Sequence, residues 1–161
     1  MKTKFKLYKE LPFEYSQLRN LAFKNSKLNS LCFKIDSRSS HMTLFINDTF
    51  CGSVTITKNN IIELWSKQEV LIKEDYIFLN RGFITENISF NRIDLLNNIL
   101  LEIIQTNANK NIFTSVRVDN LKVIKMLENI GFSRKKTFNS YHSITENFTP
   151  LYLYKISIKQ T

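Results

Sequence analysis

Few side chains in this sequence could do chemistry, and their types point to proton transfer. Cys32 and Cys51 form no metal or redox spacing and read as reduced, semi-buried fillers, so no metal is expected. His41 and His142 are lone histidines, a setting in which the ring is more often a surface or hydrogen-bonded group than a catalyst. The candidate bases are Glu63, Asp75 and His41, and the candidate acids are Tyr141, Tyr152 and Tyr154, which lie on strand-like stretches near the C-terminus. Asn120 ends a strand-like run and opens a helical one, where its side chain can cap the helix.

The elements that position these groups belong to one domain, residues 1–161, a length that buries a core without disulfides. The 13 Phe supply bulky core material, which excludes a disordered chain. No apolar run approaches the roughly 20 residues of a membrane span. The basic start, MKTKFKLYKE, lacks the apolar stretch of a signal peptide, and a cytoplasmic location is the expectation. A formal net charge of +9 favours anionic partners such as a nucleotide, nucleic acid or an acidic protein; the other reading is a solvated basic surface. Nucleic-acid binding needs clustered Arg and Lys with exposed aromatics, and only Arg134–Lys136 with Phe138 and Tyr141 approaches that.

Along the chain, Phe5–Leu11 reads as a strand ended by Pro12, and Glu14–Phe23 has helical spacing, with a second weak helix to Phe33. Thr43–Ile46 and Ser53–Ile56 read as a hairpin with a loop of several residues. Ile61–Trp65 is a further short strand, and Tyr76–Thr85 is a strand in which Gly82 marks a bulge or a close approach of another backbone. Asn91–Thr106 is a helix with an apolar stripe at Leu96, Ile99, Leu100 and Ile103. Ile112–Val118 is a strand, and Leu121, Ile124, Leu127 and Ile130 then recur at helical spacing before Gly131, a helix stop. Arg134–Ser143 and Leu151–Lys159 are two final strands.

The run V-x-V-x-N at Val116–Asn120, eleven residues ahead of Gly131-Phe132, resembles the C-terminal signature of the GNAT superfamily of N-acyltransferases. The order of elements matches that superfamily over roughly residues 4–159. The resemblance implies an α/β (α+β) domain with a mixed, mostly antiparallel sheet whose fourth and fifth strands splay apart between flanking helices. It implies transfer of an acetyl or longer acyl group from a thioester, acetyl-CoA or an acyl carrier protein, to a small or macromolecular amine. The donor arm would lie against Gly82, Phe83, Ile84 and Ser115, with Asn120 and Arg92 as auxiliary contacts. Glu63 falls where some GNAT enzymes place a base, and Tyr141 is a candidate to protonate the departing thiolate.

The sequence departs from the superfamily in two places. The Gly-rich loop that cradles the pyrophosphate of coenzyme A has no counterpart here, where Asn87, Phe90 and Arg92 stand. Leu127 occupies the position of the usual acid, a Tyr. Three readings stay open: coenzyme A bound through Arg92 or Asn91, an acidic acyl carrier protein as donor, or a non-catalytic binding module. Arg19, Asp36, the Ser-Ser-His of residues 39–41, Arg81 and Leu127–Phe132 also loosely resemble the acyl-homoserine-lactone and N-acyl-amino-acid synthases; the Glu they place before the strand Arg is absent.

Overall fold

The computed structural model describes residues 2–23, 36–58, 75–86, 88–142 and 147–156. In chain order the elements are β1 (Thr3–Tyr8), α1 (Phe13–Ala22), β2 (Ser39–Ile46), β3 (Thr49–Lys58), β4 (Tyr76–Ile84), α2 (Arg92–Thr106), β5 (Asn111–Arg117), α3 (Leu121–Ile130), β6 (Ser133–His142) and β7 (Asn147–Ile156). The seven strands form one sheet in the order β1-β2-β3-β4-β5-β7-β6. Every neighbouring pair is antiparallel except β4–β5, which is parallel. The expected second helix to Phe33 and the strand at Ile61–Trp65 lie outside the described residues.

One face of the sheet carries the apolar core. Met42, Leu44, Val54, Ile56, Ile77 and Leu79 are buried there with Leu95, Ile99, Leu100 and Ile103 of α2 and with Ile124 and Leu127 of α3. Full burial of a side chain of this kind contributes about 1.5–3 kcal/mol, so packing of the stripe fixes α2 more than propensity does. The opposite face receives α1, whose Tyr15 stacks on Phe50 at 4.1 Å between ring centroids.

Local chemistry fixes the element ends. Asn47 and Asp48 have φ of 50° and 64°, a two-residue turn of the kind that matches strand twist. The strands therefore run up to the turn, and the loop is shorter than the sequence suggested. Gly52 lies inside β3, because a Cβ there would stand 2.3 Å from the Phe83 carbonyl oxygen. Asn120 caps α3 by accepting from the Val123 N–H at 3.4 Å. At the other end Gly131, with φ 121°, lets its own N–H and that of Phe132 donate to the Leu127 carbonyl. The two outermost strands of the sheet, among the described residues, are basic: Lys4 and Lys6 are exposed on β1, and Arg134, Lys135 and Lys136 on β6.

Candidate active site

β4 and β5 pair only from Tyr76–Asn111 to Leu79–Thr114. Thr114 Oγ1 donates to the Leu79 carbonyl at 2.9 Å and closes the ladder at that point. Beyond it the facing edges of residues 80–84 and 115–117 make no ladder with each other. On its other side β4 carries an extra residue: Ser53 pairs with Phe83 and Thr55 with Asn80, so Arg81 and Gly82 share the place opposite Val54. Arg81 accommodates the bulge with φ 47°, a left-handed backbone that costs a non-glycine residue about 1–2 kcal/mol.

The extra residue changes which side each side chain takes. Ile77 and Leu79 enter the apolar core. Asn80 and Arg81, although consecutive, both turn to the α1 face, where Arg81 Nε donates to Asn80 Oδ1 at 3.1 Å. Gly82 then faces α2; a Cβ on it would lie 3.1 Å from Leu96 Cδ1 and 3.3 Å from Val54 Cγ2. Gly82 is exposed between buried neighbours, so main chain is accessible where the strands part. Divergence begins after Leu79, three residues before the glycine that the sequence singled out, and the strained backbone belongs to Arg81.

Beside this fork stands the N-terminus of α2. Asn91 Oδ1 accepts from the N–H groups of Ile93 at 3.0 Å and Asp94 at 3.2 Å. Two of the first-turn donors, the N–H groups of Ile93 and Asp94, are therefore engaged by the protein's own cap, and Asp94 adds a negative charge. Arg92 Nη2 donates to the Ile84 carbonyl at 2.7 Å and ties the helix start to the end of β4. Asn87 lies outside the described residues. Of the other proposed donor contacts, Phe83 and Ile84 are buried, Ser115 is half-buried on β5, and Asn120 is exposed at its cap.

Behind the bulge, on the α1 face, lies a buried ionic cluster. The Asp36 carboxylate accepts from Arg19 Nη2 at 2.7 Å and from Arg81 Nη2 at 2.5 Å. Arg19 Nη1 also reaches Thr55 Oγ1 at 3.4 Å, which bonds His41 Nδ1 at 3.0 Å. Asn80 Nδ2 donates to Thr57 Oγ1 at 2.9 Å, and Thr57 bonds Ser39 at 2.7 Å. Burial pushes the Asp36 carboxyl up, but the hydrogen bonds and charges of Arg81 and Arg19 outweigh it and hold it below the usual range. Burial lowers His41 to about 4; Asp36 opposes that shift, while the two arginines add to it. His41 is neutral at pH 7 and fully enclosed, so it is no free base.

The proton-transfer candidates divide by position. Glu63 lies outside the described residues, and Tyr141 has its backbone in β6, paired with Phe148. Asp75 lines a cavity of about 550 Å³ with Lys58 and Lys110, at the paired end of β4 and away from the fork. Tyr154 is fully buried, its hydroxyl donating to Glu128 at 2.9 Å and accepting from Arg134. The Arg134 guanidinium lies 3.7 Å from the Tyr152 ring centroid. Leu127 is core. The Cys51 thiol is free, and burial raises its pKa. Among the described residues no His, Cys, Asp and Glu group could hold a metal, and no helix is long and apolar enough to cross a membrane.

Arg19, Asp36 and Arg81, which the sequence resemblance picked out separately, thus meet on one carboxylate. Ser53, Thr55, Thr57 and Asn80 were missed. Their signal was present in β3, where Ser53, Thr55 and Thr57 alternate with Val54 and Ile56 and so give the strand one polar face.

No protein-family model matches the sequence, and no curated protein does. Solved structures do. The N-acetyltransferase from Staphylococcus aureus aligns over 98% of this chain and 99% of its own, with TM-score 0.68 and 11% identity. The GNAT-family acetyltransferase from Streptococcus pneumoniae aligns over 98% of this chain and 100% of its own, with TM-score 0.65 and 15% identity. Arabidopsis thaliana NAA60 in complex with acetyl-CoA aligns over 98% of this chain and 100% of its own, with TM-score 0.65 and 10% identity. Similarity over almost the whole length, together with the splayed parallel pair, means that the chain has the fold of the GNAT superfamily.

Proposed function

We propose that this protein is an N-acyltransferase that moves an acetyl or longer acyl group from a thioester donor, acetyl-CoA or an acylated carrier protein, to an amine. The observation that carries the reading is the fork: exposed main chain at Gly82, between β4 and β5, on a strand that is otherwise buried. Neighbours of the same fold are acetyltransferases, and one holds acetyl-CoA. In the reaction the amine nitrogen bonds to the thioester carbonyl carbon, the carbon–sulfur bond breaks, the amine proton passes to a base and the thiolate takes a proton. The chain's part is to align the donor arm along Gly82–Ile84 and Ser115, to aim main-chain N–H groups at the carbonyl oxygen, and to exclude water. Glu63 is our candidate base and Tyr141 our candidate acid, while Asn120 supports the fork from the end of β5.

The fork suits an acyl-pantetheine arm, whereas the start of α2 is less suited to a pyrophosphate in the Gly-rich manner, because Asn91 engages two of its N–H donors. This favours a donor whose affinity comes from the arm, including an acidic acyl carrier protein that would meet the +9 charge. The same observation favours a second reading, a GNAT-fold binding module without catalysis. Calorimetric titration with acetyl-CoA and with an acylated carrier protein, followed by thiol release in the presence of an amine panel, separates these. Binding with thiol release supports the enzyme, and binding without release supports the module. Failure to bind either donor refutes the acyltransferase.

A further inference from the structure

The cluster behind the bulge is not electrically balanced. Arg19 and Arg81 are both buried, they share the single carboxylate of Asp36, and His41 beside them is neutral. Among the described residues that leaves one buried positive charge without a counter-ion, an expensive state for a protein interior. Three buried polar atoms of the same sheet face also lack a hydrogen-bond partner: Arg19 Nε, Arg81 Nη1 and Ser53 Oγ. The two nitrogens are donors only, and the hydroxyl can donate. The other polar groups of this face satisfy one another, as Ser39 does with Thr57 and Asn80 with Thr57. The deficit is therefore local and of one sign: donors in excess of acceptors, and positive charge in excess of negative.

We propose that this cluster of unpartnered donors is a binding site for a monovalent anion, held by Arg19 and Arg81 with the Ser53 hydroxyl. A single negative charge neutralises the excess, whereas a dianion such as sulfate or a phosphate would over-compensate it beside Asp36. Asp36, with 31% of its side chain exposed, gives the cluster its opening to solvent. The ligand is chloride or a carboxylate, two sources of the same chemistry. Because Arg81 is the bulge residue, the anion lies directly behind the fork and its binding stabilises the divergence of β4 from β5. This inference concerns the cluster alone and does not depend on acyl transfer.

The test is a set of urea unfolding curves of the full chain at one ionic strength, with sodium chloride, sodium acetate or sodium sulfate as the variable salt. Comparing each variant with wild type in the same salt removes the general salt effect. For wild type in chloride or acetate, each tenfold rise in anion above its Kd should multiply the folding constant about tenfold, and sulfate should give no such specific rise. Ser53→Ala removes a buried unpartnered hydroxyl, so it should fold at least as well as wild type while its anion response moves to higher concentration. Arg81→Gln should lose the response, and Ser53→Ala keeps the test valid if that variant does not fold. A response to acetate alone assigns a carboxylate site, and one to chloride alone assigns a halide site. The proposal is overturned if wild type and Ser53→Ala respond identically to every salt, or if sulfate acts as strongly as the monoanions.

Discussion

The left-handed backbone at Arg81 yields a prediction that isolates strain from side-chain contacts. Arg81 has φ 47° in the middle of a strand, held by its bonds to Asn80 and Asp36. Replace it by Ala in one protein and by Gly in another. Both lose the same charge-assisted bonds, each worth about 1.5–3 kcal/mol, offset in part because a buried positive charge leaves with them. Both variants should thus fall below wild type by roughly 2–3 kcal/mol. The difference between them is the informative quantity. In an ordinary strand Gly is less stable than Ala by roughly 0.5–1 kcal/mol. Here Gly escapes a penalty of about 1–2 kcal/mol that Ala retains, so the order reverses and Gly should be the more stable by about 0.5–1 kcal/mol. For a chain of this size that is roughly 1–4 °C in midpoint, and urea curves with unchanged slope should give the same sign. If Ala matches or exceeds Gly, the backbone at this position is not strained, and the bulge has another origin.

Three further outcomes are expected. His41, held neutral with a pKa of about 4 against an ordinary 6.5, binds fewer protons folded than unfolded between those values. Stability from this group is therefore complete above pH 6.5 and is lost as pH falls toward about 4, by on the order of 3 kcal/mol; Asp36 adds a further loss below its ordinary 3.8. His41→Gln should flatten the upper part of that profile in urea titrations from neutral to acid pH. Asn91→Gly should cost only a few tenths of a kcal/mol of stability but release the Ile93 and Asp94 N–H groups, so calorimetry should show tighter coenzyme A binding than in wild type. Asn120→Ala should cost about 0.5–1 kcal/mol, the low end because its cap bond is 3.4 Å long, and Asn120→Asp should restore stability; donor affinity that also falls in the Asp variant would assign Asn120 a contact beyond the cap.

The fold was largely legible because its elements obey local rules. The stripe of α2, the cap at Asn120 and the stop at Gly131 each follow from residues close in sequence. In sequence Gly52 is indistinguishable from turn punctuation and lengthens the expected hairpin loop, whereas its reason is the Phe83 carbonyl more than thirty residues away. Gly82 was found for a sound reason, yet the strain belongs to its neighbour, since nothing local marks an arginine for positive φ. The ionic cluster depends on contacts spanning 17 to 45 residues, and burial converted an unremarkable Arg, Asp and Arg into one unit. The occupied start of α2 was half visible: the loss of glycines could be read, but the capture of the donors by Asn91 could not.

Among the described residues β1 and β6 flank the sheet, and their charge bears on the behaviour of many molecules together. An open β-sheet offers unpaired main chain on both flanks, an invitation to join with another copy strand to strand. Here Lys4 and Lys6 guard one flank and Arg134, Lys135 and Lys136 the other, so any edge-to-edge approach brings cation against cation. Flank one to flank one, six to six, or one to six, every pairing meets the same repulsion. A net charge of +9 extends it to long range at low salt, within a screening length of roughly 10 Å at 0.1 M. The basic residues are thus placed to oppose edge-to-edge polymerisation, and self-association should rise as added salt screens them.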